Sequence, residues 1–184
     1  ATFMLSRTWH ISDPPSPQER ERRVATLETF LEKYPDHERA PEAYLDIAAG
    51  YASAFGYEDA VATLKRFLSD ERYADTEEVP EARKRLGDYY KLQKKYAEAL
   101  ATWREYLTAH PTHPAWSEVQ RQIIETEYLM AQEEFEAEHY DAARRLFGEF
   151  LAKYPLDARA PGIPCIIGQM YAEQEQWDEA IATW

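Results

Sequence analysis

The chain states one phrase twice. Phe30-Leu-Glu-Lys-Tyr-Pro-Asp-His-Glu-Arg-Ala-Pro41 returns as Phe150-Leu-Ala-Lys-Tyr-Pro-Leu-Asp-Ala-Arg-Ala-Pro161 within 184 residues. Repetition at so long a separation confines the fold to architectures made by stacking one structural unit. Such a unit cannot bury its apolar face alone, so its neighbours must complete the core.

More worn copies lie between these two. Tyr57-Glu-Asp-Ala60-x3-Leu64-x2-Phe67-Leu68 shares its frame with Tyr96-Ala-Glu-Ala99-x3-Trp103-x2-Tyr106-Leu107. The frame recurs as Tyr140-Asp-Ala-Ala143-x3-Phe147-x2-Phe150-Leu151 and as Trp177-Asp-Glu-Ala180-x3-Trp184. Its small residues fall at 60, 99, 143 and 180, in steps of 39, 44 and 37, and a degenerate first copy carries Leu27, Phe30 and Leu31 around Arg23. The apolar spacing is helical throughout. Helices carrying these frames are predicted near 17–33, 57–69, 95–109, 140–153 and 177–184, each but the first preceded by a partner helix. The first opens with Ser16 as N-cap, Pro17 at the first helical position and Glu19 to complete a capping box.

The small residues have a direct physical use. Ala60, Ala99, Ala143 and Ala180, with Ala48, Gly87 and Gly168 on the partner helices, allow paired helices to approach closely, and the aromatics around them fill the grooves. Pro35, Pro111 and Pro155 end helices and turn the chain into the next unit. The fold class expected is all-α, a right-handed α-solenoid of antiparallel helix hairpins over residues 16–184. Residues 1–15 stand apart: Phe3, Leu5, Trp9 and Ile11 alternate like an extended segment before Asp13-Pro14-Pro15. They read either as a terminus packed on the first helix or as the remnant of a preceding region. The frame at Trp177 stops at Trp184, whereas its counterpart at Tyr96 continues a further turn beyond Trp103, so the last helix reads as truncated and the native chain is expected to continue; without Met at position 1 the chain reads as a mature product or an excised fragment.

Composition excludes several functions. The formal net charge is −13, with 34 acids against 21 Lys and Arg, which argues against nucleic acid or an anionic membrane surface as a partner. No apolar run reaches the length of a transmembrane helix, so no direct membrane insertion is expected. The single cysteine, Cys165, excludes an internal disulfide.

In this frame the residues resemble the tetratricopeptide repeat. The family pattern runs from a bulky residue through Leu-Gly, Tyr, Ala and an aromatic to Pro. Leu86-Gly87, Tyr90, Ala99, Trp103, Tyr106 and Pro111 reproduce it, and only the first position, Arg83, does not match. Three features depart from the pattern: steps longer than the family period of about 34 residues, Glu134 where Tyr is expected, and Arg72 where Pro is expected. The Phe-Leu-x-Lys-Tyr-Pro wording is similar to longer-loop repeats of bacterial envelope proteins of the outer-membrane-assembly and Tol–Pal accessory types. A fainter likeness is to repeat segments of macroglobulin-like envelope proteins. The resemblance implies a non-catalytic scaffold for protein–protein contacts, with a bacterial periplasm or cell envelope favoured over cytoplasm. The alternative is a spacer or docking arm that engages other domains of a larger parent chain. The chain contains no Asn, which argues against the family's carboxylate-clamp mode of tail binding.

Catalytic and cofactor motifs are absent from the sequence. There is no phosphate-cradling Gly-rich loop, no His-Glu-x-x-His and no Gly-x-Ser-x-Gly, and no cofactor is expected. His110-Pro-Thr-His113 offers two imidazoles at short spacing with no fixed carboxylate or thiolate nearby; a turn between repeats is preferred to a metal site. Cys165 lies at a helix start without a partner His or Asn, so it reads as a small packing or groove residue.

The expected partner surface is the concave face, which the first helix of each hairpin lines in this family. Registering the repeats assigns Lys84, Arg85, Asp88 and Lys91 from repeat two. It adds Tyr128, Leu129, Gln132 and Phe135 from repeat three, and Cys165, Ile166 and Gln169 from repeat four. Six bases against one acid lie between Arg83 and Lys95, which would suit an acidic or extended peptide. The competing reading is internal neutralisation of those bases by the six acids of Asp70–Glu81.

Overall fold

The computed structural model describes residues 16–183, and the extended-segment reading of residues 1–15 lies outside them, as does Trp184. Among the described residues there are nine α-helices and no strand: α1 Pro17–Lys33, α2 Ala40–Ala52, α3 Tyr57–Leu68, α4 Val79–Leu92, α5 Tyr96–Ala109, α6 Trp116–Glu136, α7 Tyr140–Lys153, α8 Ile163–Glu173 and α9 Trp177–Thr183. Short 3-10 turns occupy Glu71–Tyr73 and Ala160–Gly162. The chain divides at Trp116/Ser117 into two compact units.

The first unit carries α1 to α5, each packed on the next. The capping box is present: Glu19 N–H donates to Ser16 Oγ at 3.3 Å while Ser16 N–H donates to Glu19 Oε2 at 2.7 Å. Leu27, Ala43, Ala48, Ala60, Leu64, Phe67, Ala99, Trp103 and Tyr106 are inaccessible to solvent. Tyr44, Phe67 and Tyr73 form a three-ring cluster with centroids 5.5–5.7 Å apart. Two glycines mark where helices nearly touch. A Cβ on Gly50 would fall 2.6 Å from Val24 Cγ2, and one on Gly87 only 2.2 Å from Trp103 Nε1.

The second unit carries α6 to α9. Ala131, Ala143, Phe147, Phe150, Ile163 and Met170 form its core. Glu127 is buried there and accepts two hydrogen bonds from Lys153 Nζ, at 3.1 and 3.2 Å. Lys153 is the lysine of the second Phe-Leu-x-Lys-Tyr-Pro phrase, so in this copy the motif ties α7 to α6.

Every hairpin closes by the same device. Phe55, Lys94, Glu138 and Glu175, each two residues before the second helix, adopt φ of 60°, 59°, 62° and 59°. The next N–H then donates back five residues, from Gly56 to Tyr51 O, Lys95 to Tyr90 O, His139 to Glu134 O and Gln176 to Tyr171 O, at 2.9–3.0 Å. This is the Schellman closure, which normally places Gly in the left-handed position. The turns between hairpins also repeat. The backbone N–H groups of Arg39, Ala115 and Arg159 donate to the side chains of His37, His113 and Asp157, at 3.1, 3.2 and 2.9 Å.

Candidate binding surface

Helix α4 begins with Pro80 in its first turn and ends at the Lys94 closure, so its charged run is held on a rigid rod. Gly87 and Ala82 face the buried side. Lys84, Arg85, Asp88 and Lys91 are half-buried. Lys84 Nζ pairs with Asp88 Oδ2 at 3.3 Å, and Arg85 Nε with Glu81 Oε1 at 2.6 Å, each one helical turn apart. Arg85 also reaches the Leu45 carbonyl of α2 at 3.4 Å. Of the acidic Asp70–Glu81 segment, Glu81 answers these bases, whereas Asp70 pairs with Arg72 at 2.6 Å.

The residues assigned from the later repeats sit in the second unit and differ in kind. Tyr128 packs edge-on against Phe147 and Phe150, with centroids at 5.6 and 5.4 Å, and Arg159 covers it at 4.6 Å. Phe135 meets Tyr140 at 6.1 Å. Both rings are thus engaged in packing within the α6–α7 hairpin. Gln132 is exposed and donates to Glu136 at 3.2 Å; Leu129 and Ile166 are half-buried; Gln169 and Cys165 are exposed.

The two-histidine loop is occupied with holding the turn. Tyr106 lies 2.6 Å from His113 Nδ1, which also accepts from Ala115 N–H, so the tyrosine hydroxyl donates to it. Arg83 lies 3.2 Å from His110 Nε2. Burial, followed by the charges of Arg83 and His113, pushes the His110 imidazole below its usual range. Among the described residues no cluster of His, Cys, Asp or Glu could hold a metal ion. No described helix is long and apolar enough to cross a membrane.

The family model of the tetratricopeptide repeat matches residues 45–114 and 128–184. The chain belongs to the tetratricopeptide repeat family. No curated protein matches it. Among solved structures it is similar to the nearly identical TPR-like repeats of a kinesin light chain from Podosopora anserina, at a TM-score of 0.52 and 14% identity over 99% of this chain and 89% of that one. MamA 41-end from Desulfovibrio magneticus RS-1 gives 0.47 and 15% over 99% and 90%, and the TPR2AB domain of yeast Sti1 in complex with pHSP90 gives 0.47 and 17% over 90% and 68%. At such identities the likeness concerns the fold alone.

The departures at Glu134 and Arg72 have structural explanations. The Tyr position before each closure supplies a backbone carbonyl, which Glu134 provides equally well, while its carboxylate takes His139 Nδ1 at 2.8 Å. Arg72 replaces proline in a turn held by other means: it bridges Asp70 and Asp36, and Tyr73 OH donates to the Pro35 carbonyl of the preceding turn.

Sequence reasoning did not single out Phe55. In the turn Phe55-Gly56-Tyr57 the glycine has φ −78° and the left-handed residue is Phe55. The common offset before Tyr57, Tyr96, Tyr140 and Trp177 was the available signal.

Proposed function

We propose that this tetratricopeptide chain is a non-catalytic scaffold that holds a peptide or protein partner against the outward charges of α4. The observation carrying this reading is the ladder Lys84–Asp88–Lys91 with Arg85 beside it, half-buried on a helix of an otherwise acidic body. Its surface ion pairs are weak enough to exchange for a partner's carboxylates. The test compares affinity capture from the native cell by the natural chain and by the Lys84→Ala, Arg85→Ala, Lys91→Ala variant. The partners held by the natural chain should be lost or become insensitive to salt. An identical set retained with identical salt dependence would remove α4 from the interaction.

A second reading has its own observation. Arg85 is engaged with Glu81 and with the Leu45 carbonyl, so these charges serve packing if the chain is a spacer or docking arm in a larger envelope protein. In that case the same variant lowers thermal stability and leaves capture unchanged.

A further inference from the structure

Among the four left-handed closures, Phe55 is the costly one. Lys94, Glu138 and Glu175 are flexible polar residues, whereas a bulky aromatic at φ 60° is a backbone outlier. Exchanging the order of Phe55 and Gly56 would place glycine where the turn wants it. The Phe55 ring gains little burial in return, being 81% exposed. It meets Tyr57 edge-on at 6.2 Å, and Tyr57 leans on Tyr89 at 6.2 Å. Leu92, one helical turn beyond Tyr89, is 57% exposed. An apolar strip therefore runs from the α2–α3 turn to the end of α4. Exposed Lys94 and Lys95 flank its far end, and exposed Glu58 and Asp59 flank Tyr57 in the first turn of α3.

We propose that Phe55, Tyr57, Tyr89 and Leu92, with Lys94 and Lys95, form a docking strip for an acidic peptide segment bearing a large apolar side chain. Charge selects this occupant and its direction. Carboxylates of the segment are drawn to Lys94 and Lys95 and repelled by Glu58 and Asp59, so its apolar side chain lies toward Phe55. Phe55 is the exposed aromatic, and with the half-buried Tyr57 and Tyr89 it supplies contact area at small entropic loss, as binding anchors do. The proposal rests on the scaffold reading but uses the hairpin-turn edge rather than the Lys84–Lys91 ladder.

The test uses the purified chain and a fluorescein-labelled peptide alternating Glu with Leu and Phe, read by anisotropy. The chain should bind it with affinity that falls as salt rises, and should not bind the Lys-for-Glu version. Phe55→Gly should raise the thermal midpoint, because it relieves the turn, and still weaken peptide binding about tenfold or more. Lys94→Glu with Lys95→Glu should abolish binding, and Lys33→Ala with Lys65→Ala, exposed lysines outside the strip, should leave it in place, while a Lys84→Ala, Lys91→Ala variant reports whether the ladder holds the peptide instead. Unchanged binding by Phe55→Gly would overturn the proposal, as would no binding by the natural chain or loss confined to the Lys84/Lys91 variant. Self-association that Phe55→Gly abolishes, without peptide binding, would make a second copy the occupant and overturn it too.

Discussion

Gly87 and Trp103 occupy each other's space. The indole lies so close over α4 that a methyl group on Gly87 would stand 2.2 Å from Nε1 and 2.5 Å from Cδ1, while Nε1 donates to the Lys84 carbonyl at 3.3 Å. The fully buried tryptophan and the missing side chain are one packing solution.

Gly87→Ala should therefore cost about 2–3 kcal/mol, through overpacking and loss of the indole hydrogen bond. Gly148, inside α7 with nothing within 4 Å of a Cβ, is the control. Gly148→Ala should stabilise by about 0.5–1 kcal/mol from helix propensity alone. Urea unfolding of both variants checks the pair, and equal effects would contradict it.

Glu138 closes the α6–α7 hairpin at φ 62°. Glu138→Gly should stabilise by about 0.5–1 kcal/mol, because relief of the left-handed strain outweighs the added chain entropy. A thermal midpoint that falls would show that the closure is not strained.

Glu127 is 10% exposed at its side chain and Lys153 46%. Lys153→Met should cost about 1–2 kcal/mol, since it leaves a buried carboxylate without that cation. Adding Glu127→Gln should recover part of the loss. A fully additive double variant would mean the pair is not coupled.

Asp157 accepts from Arg159 Nε and Nη2 at 2.8 Å and from the Arg159 backbone, and these bonds hold its carboxyl at about 2. The unfolded chain titrates near 3.9. The stabilisation is thus complete above about pH 4 and is lost as pH falls toward 2. Asp157→Asn should lower stability at neutral pH and flatten that acid limb in pH-dependent melts.

The all-α hairpin stack was legible because helix crossings demand small residues at fixed offsets, and Ala60, Gly87, Ala99, Ala143 and Ala180 advertise that period even where little else repeats. The turns were less legible. Their closure is made by backbone carbonyls and by left-handed residues that happen to be Phe, Lys and Glu, residue types that do not mark such a position. Register alone also fails to tell a helix position facing its partner from one facing solvent. Lys84 and Tyr128 share a register position, yet Tyr128 packs on Phe147 and Phe150 while Lys84, equally half-buried, pairs with Asp88 on its own helix. The pairing of buried Glu127 with Lys153 left no sequence signal because 34 acids make many spacings by chance.

The scaffold claim is tested most directly by amide hydrogen exchange of the chain with and without the partner it captures from its native cell. The account predicts slowed exchange concentrated in peptides covering α4, Val79–Leu92. Protection that leaves α4 unchanged and falls elsewhere would contradict it.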